Sequence, residues 1–294
     1  MIGHRSERRT AESLRRQWLL PFLAGLLCAA MLFPAVSVSG DETAAGLTVY
    51  YIDVGQAEAA LVICEGHTLL IDGGLYAGSS KIRSLLETLQ ITYLDYVIAT
   101  HAHDDHVGGL AAALSAARAG AAYSPVLQYN SPAFRRFTDL LSQQEVGLTV
   151  PQHGSVVQLG SAEVHFLGPI RPTVRQNDLS VVVKVVYGAV SFLFTGDAEA
   201  EEERDIVEAG YDLSAAVLQV AHHGHRTSTS LSFLQAVSPE YAVISCGKGN
   251  GYGCPHPSVL SRLNDIGATV YRTDLSGTIR CDSDGISVTF TAER

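Results

Sequence analysis

Residues 100–110, T-H-A-H-D-D-H-V-G-G-L, place His101, His103, Asp105 and His106 within six positions, directly after the apolar run 96–99. Three imidazoles and a carboxylate at the end of a strand are a donor set for a borderline divalent cation such as zinc, with manganese or iron as further fits. In a tight turn His101 and His103 reach one ion while Asp105 and His106 face a second about 3.5–4 Å away, the spacing of two-metal hydrolases. A chain with this turn needs a strand to carry it and other segments to complete the coordination.

Two later segments offer the completing groups. Asp197 follows the apolar run 190–194 through Thr195-Gly196, so its carboxylate emerges at a strand end. Its two oxygens suit bridging of two cations. Taken alone, Asp197 reads better as a cap for the helical pattern that begins at Ala198; beside the histidine cluster, bridging is favoured. His222 and His223 close the apolar run 216–221. Successive strand residues face opposite ways, so one of the two is expected to enter the site directly.

The motifs occur in an order that resembles the metallo-β-lactamase-fold hydrolases, in the ComEC-type competence-protein branch. They are Asp53-Val54-Gly55-Gln56, Leu69-Leu70-Ile71-Asp72-Gly73-Gly74, the His101–His106 cluster, Phe194-Thr195-Gly196-Asp197, Ala221-His222-His223-Gly224 and Tyr252-Gly253-Cys254-Pro255-His256-Pro257. The resemblance implies an αββα sandwich, two mixed sheets packed together with helices outside, over 47–294. It implies two divalent ions held by His101, His103, Asp105, His106, Asp197 and His223, with His222 orienting a ligand. The last ligand stays open: the family's loop is Tyr-Gly-His-Pro, and here Cys254 takes the histidine's place while His256 stands two residues on. A thiolate would bind zinc there; alternatively Cys254 pairs with Cys246 or Cys281 and His256 takes over. Two further departures stand out. Gln56-Ala57-Glu58 replaces the usual Gln-Gly-Asp, which alters the mouth of the site, and His225 stands where the family more often has serine. Asp72 is assigned a structural role, holding the His101 loop.

The N-terminus reads as an export leader. Arg5, Arg8, Arg9, Arg15 and Arg16 precede an apolar run over 18–38, the order of a charged and then an apolar signal region. Over 1–40 this is either a cleaved signal or an uncleaved anchor, since a span needs about 20 apolar residues. The chain carries a net charge of −10, and removing the basic leader makes the remainder more acidic still. Such a surface repels polyanions, and the scattered pairs Lys81 and Arg83, Arg135 and Arg136 form no basic footprint. Four cysteines beyond Cys28 are too few in a chain this long for a disulfide framework, and Cys64 sits in an apolar strand pattern.

The period-2 and β-rich runs predict strands over 47–54, 59–63, 68–71, 96–100, 126–128, 156–159, 162–167, 179–187, 190–195, 216–221, 242–245, 269–272, 277–281 and 286–291. Helices are predicted over 81–89, 110–119, 132–144, 198–209, 231–236 and 258–266. Glu199, Glu201, Glu202 and Glu203 read as the solvated face of an acidic helix. Periodicity alone yields a mixed α/β class.

The chemistry points to an exported metal-dependent hydrolase. Cations that lower the pKa of water toward 7 would generate hydroxide and steady charge on the attacked centre, with Asp105 and Asp197 as catalytic carboxylates and Asp105 as proton acceptor. The ComEC-type resemblance suggests a phosphodiester, and DNA in particular. The acidic charge favours a second reading, a cell-envelope ester or a lactam, and a non-catalytic module of an uptake apparatus is a third.

Overall fold

The computed structural model describes residues 46–294. The leader or anchor expected over 1–40 lies outside the described residues. Among the described residues, no helix is long and apolar enough to cross a membrane.

The strands are β1 Leu47–Tyr51, β2 Ala60–Cys64, β3 His67–Ile71, β4 Tyr93–Ile98, β5 Arg118–Tyr123, β6 Leu148–Thr149, β7 Val156–Leu159, β8 Ala162–Phe166, β9 Val183–Tyr187, β10 Val190–Phe194, β11 Val217–Gln219, β12 Tyr241–Ile244, β13 Thr269–Arg272, β14 Ile279–Ser283 and β15 Val288–Ala292. They form an eight-stranded sheet ordered β15-β14-β1-β2-β3-β4-β5-β6 and a seven-stranded sheet ordered β13-β12-β11-β10-β9-β8-β7. The helices are α1 Ser79–Thr88, α2 Asp104–Val107, α3 Leu110–Ala116, α4 Pro132–Gln143, α5 Ala200–Glu208, α6 Leu231–Val237, α7 Pro257–Asp265 and α8 Thr273–Ser276.

Strand alternation builds the layers. Leu47, Val49 and Tyr51 of β1 and Val183 and Val185 of β9 point between the sheets, where Phe166, Phe192 and Phe194 complete the central core. Each such aromatic contributes about 1.5–3 kcal/mol on burial. The outer face of the first sheet, with Leu61, Leu70 and Val97, packs against Ile82 and Leu86 of α1, Leu110 of α3 and Phe134 and Phe137 of α4. On the other side Leu193, Leu218 and Ile244 meet Ile206 of α5, Phe233 of α6 and Leu263 of α7. Helix, sheet, sheet, helix is the αββα sandwich expected.

Several local expectations are corrected. The helix expected over 110–119 stops at Ala116, and Arg118–Tyr123 is a strand. R-A-G-A-A-Y has no β-branched residue, but its parallel pairing with β4 outweighs local propensity. The strand expected over 126–128 is irregular. The acidic helix is solvated only in part: Glu202 and Glu203 are buried. Glu202 accepts a hydrogen bond from the Ile170 N–H, and Glu203 accepts from the N–H groups of Thr229 and Ser230, so both carboxylates pin loops.

Candidate metal centre

The cluster gathers where strands of both sheets end. Ile71 of β3 leads to Asp72, Ile98 of β4 to Thr100 and His101, and Phe194 of β10 to Asp197, while His222 and His223 follow β11. The sheets are tied at this edge by the Val181 N–H, which donates to the Thr100 carbonyl at 2.8 Å. Gly196 has φ +50° and lies so close to Thr100 that a Cβ would sit 2.8 Å from its side chain. Only glycine gives both the left-handed turn and that approach.

Asp72 orients the histidine loop. Its Oδ1 accepts the Thr100 N–H at 2.8 Å, and its Oδ2 accepts the Thr100 hydroxyl and His106 Nδ1, both at 2.7 Å. Committing His106 Nδ1 to a carboxylate leaves Nε2 facing Asp197 Oδ1 at 3.1 Å. That is the carboxylate–histidine arrangement that supports metal ligands. His223 Nδ1 is likewise taken by the Ser245 carbonyl at 2.9 Å. Its Nε2 then lies 3.4 Å from Asp105 Oδ2 and 3.9 Å from Asp197 Oδ1. His101 Nε2 is 2.9 Å from His103 Nδ1 and 3.7 Å from Asp197 Oδ2.

The fit to a cation rests on polar atoms left without partners. Although His106 Nε2 and Asp197 Oδ1 are close, neither makes an aligned hydrogen bond, nor does His223 Nε2, and all three are buried. An unmet buried polar atom costs about 1–3 kcal/mol. Lone pairs that converge on common space instead of on one another fit an ion between them. Donor atoms of His101, His106 and Asp197 lie within 4.8 Å of one another, as do those of Asp105, His106 and His223. The two sets share His106, whose single uncommitted nitrogen can serve one ion, so they mark one contiguous donor cluster; His103 belongs to no donor set among the described residues.

Charge is arranged to the same end. Burial alone would raise the Asp197 carboxyl, but His106 and His223 outweigh it and hold it well below the usual range. Burial would likewise raise Asp105, yet the nearby His223 ring and the charge of His106 depress it strongly. Burial works against a charged His106, but Asp197 and Asp72 push it well above the ordinary histidine value. Burial, reinforced by His106, holds the His101 ring well below the ordinary histidine value and so favours its neutral form.

Glu58 is the residue that sequence reasoning missed. It is fully buried, neither carboxylate oxygen has a hydrogen-bond partner, and it groups with Asp72 and His106 and again with Asp197 and His223. Burial raises its pKa to about 8, with His106 pulling down and Asp72 pushing up. The available signal is the Gln-Ala-Glu departure itself: Gln56 lines the mouth, as expected there, while Glu58 lies in the centre.

The strand-alternation argument for His222 and His223 does not hold. Both residues adopt left-handed backbone, φ 53° and 57°, in a turn beyond β11. Released from alternation, both rings approach Asp197: His222 Nε2 stands 3.6 Å from its Oδ2. Asp197 caps no helix; α5 begins after Glu199. At the last position the structure separates the two candidates. Cys254 lines a cavity of about 130 Å³ with Gln56, Asp105, His222, His223, His225 and Tyr252. His256 instead turns its Nδ1 to Ser258 and caps α7. Neither belongs to a converged donor group among the described residues. Cys64, Cys246, Cys254 and Cys281 are all free and buried, so the pairing alternative is absent; Cys246 Sγ meets Asp274 instead.

Similarity to known proteins identifies the family. The sequence pattern of the metallo-beta-lactamase superfamily matches residues 52–248. ComE operon protein 3 of Bacillus subtilis is 29% identical over 279 residues, covering 87% of this chain and 35% of its own length. Competence protein ComA of Neisseria gonorrhoeae is 33% identical over 268 residues, covering 90% and 35%. The chain thus spans about a third of these relatives. Among solved structures, the metallo-beta-lactamase fold protein YhfI of Bacillus subtilis has a TM-score of 0.55 at 14% identity, covering 84% of this chain and all of that one. Igni18 of Ignicoccus hospitalis, a metallo hydrolase, has a TM-score of 0.53 at 18% identity, covering 79% and 98%. By sequence and by fold, the chain belongs to the metallo-β-lactamase superfamily, with the ComEC-type competence proteins as its homologues.

Proposed function

We infer that this chain is a divalent-metal-dependent hydrolase that cleaves phosphodiesters at the cell envelope, DNA strands among them. The observation that carries the reading is the convergence of His106 Nε2, Asp197 Oδ1, His223 Nε2 and the Glu58 carboxylate, all buried and all without hydrogen-bond partners. His101, His103, Asp105, His106, Asp197 and His223 would hold two ions, with Glu58 as an added oxygen donor and Cys254 placed to join from the cavity. Bound divalent ions supply activation of water near neutral pH and offset charge on the attacked centre.

The chain's own groups do the rest. Asp72 fixes His106, the Ser245 carbonyl fixes His223, and Asp197 spans both halves of the cluster. Asp105 is the half-exposed carboxylate of the set and faces the cavity. Held ionised by His223, it orients an incoming water and is a weak base, so proton acceptance is secondary to holding. Gln56, Tyr252 and Cys254 line the mouth and select what enters. The competence name of a relative supports a nucleic-acid substrate. Export, or anchoring through residues 1–40, places the domain where such substrates arrive.

The net charge of −10 favours a second reading, an uncharged or weakly charged envelope ester or lactam. Metal analysis of the full chain with turnover of bis(p-nitrophenyl) phosphate, single-stranded DNA and a β-lactam separates the two. Phosphodiester and DNA cleavage that falls at least tenfold in Asp105→Asn is expected. Ester or lactam turnover without DNA cleavage installs the second reading, and bound metal with no turnover of any probe refutes the enzyme.

A further inference from the structure

Beyond the buried centre, a second set of donors gathers at the rim of the cavity. Glu199, His222 and His225 each present a ligand atom within 4.8 Å of the others, and none of the three is fully buried. His222 Nδ1 lies 3.3 Å from Glu199 Oε1, with side chains 21% and 22% exposed. Despite that distance, Nδ1 is itself buried and makes no aligned hydrogen bond. The His222 and His225 rings are 4.7 Å apart.

We propose that Glu199, His222 and His225 form a separate site for a divalent transition-metal ion of the zinc type. Two imidazoles and one carboxylate with an open fourth position are an established zinc donor set. Two of the three ligands, Glu199 and His225, are braced from behind. Thr227 Oγ1 sits 2.8 Å from His225 Nδ1 and donates to Glu199 Oε1 at 2.8 Å, and Asn177 Nδ2 reaches the same oxygen at 3.4 Å. With its Nδ1 turned to Thr227, His225 has its other ring nitrogen to offer. His222 Nε2 stands 3.6 Å from Asp197, so its Nδ1 serves the rim while its other edge faces the centre.

The position gives the ion a use. His222 and His225 line the cavity, and two neutral imidazoles with one carboxylate leave a bound divalent cation with a net positive charge. In an acidic protein that charge stands at the entrance and receives an anionic group. The site is built on His225, and serine there removes the ring nitrogens while keeping a small polar side chain, so serine is the mild variant.

The test is zinc bound per full-length chain, measured by mass spectrometry of metals after equilibrium dialysis. Wild type is expected to hold one equivalent more than either His225→Ser or Glu199→Gln, with matching circular dichroism in chelator. His106→Ala, aimed at the buried centre, is expected to keep the rim equivalent and to lose it on adding His225→Ser. That last result supports the rim site even where the hydrolase reading fails. Equal zinc content in wild type, His225→Ser and Glu199→Gln overturns the proposal.

Discussion

Replacing Glu58 by glutamine is expected to make the metal-free chain more stable and the metal-loaded chain less so. Glu58 is 0% exposed and its carboxyl is raised to about 8 from 4.5. A carboxyl with its folded-state pKa above the unfolded value keeps its proton in the folded chain where the unfolded chain has lost it. Stability therefore falls as pH rises from 4.5 toward 8, by about 1.4 kcal/mol per unit at full slope. At pH 7 the accumulated penalty is about 3 kcal/mol, and Glu58→Gln removes it. For a domain of this size that corresponds to about 6–12 °C in melting temperature. With metal at a hundredfold excess over its dissociation constant, wild type gains about 2.7 kcal/mol by mass action. The variant, lacking an anionic oxygen for the ion, gains less. The assay is thermal unfolding by circular dichroism at pH 5 and pH 7, in chelator and in saturating zinc or manganese. A variant less stable than wild type in chelator at pH 7, or one with an undiminished metal-dependent gain, would refute the placement of Glu58 against the ion.

Other perturbations test other parts of the structure. Glu202→Gln keeps an acceptor for the Ile170 N–H while removing a carboxyl that burial raises to about 7. It should stabilise by about 1–3 kcal/mol at pH 8 and by little near pH 4.5, read by urea unfolding; equal gains at both pH values would show that ionisation is not the cause. His256→Ala should lose the cap on α7, about 1 kcal/mol, with metal content unchanged. Loss of a metal equivalent in that variant would make His256 a ligand after all. Gly73→Ala would drive a Cβ to 2.5 Å from the Leu110 nitrogen and 2.8 Å from the Gly109 carbonyl carbon, where Asp72 meets the metal loop. Destabilisation by about 1–3 kcal/mol and weaker metal affinity are expected; unaltered calorimetric binding would count against that contact.

What the sequence by itself determined is the local chemistry. His101, Asp105 and His106 lie within one short loop, so their approach depends on little beyond the strand before them, while His103 stays beside His101 and outside the donor groups among the described residues. Asp197 was legible for the same reason, through a glycine at a strand end; period-2 runs and amphipathic helices gave the mixed α/β class, and the αββα layering came from the family resemblance. What only the tertiary structure decided is every feature that depends on which segments meet. Glu58 carries no ligand spacing and became part of the centre because the turn after β1 is buried against the histidine loop. His222 and His223 both reach Asp197 because a left-handed turn cancels alternation that a strand would have imposed. Residues 118–123 became a strand through pairing with β4, and Glu202 and Glu203 were buried by loops packed over α5. Backbone periodicity and short-range spacing are written along the chain, whereas desolvation and cross-layer contact exist only once the two sheets have closed on each other.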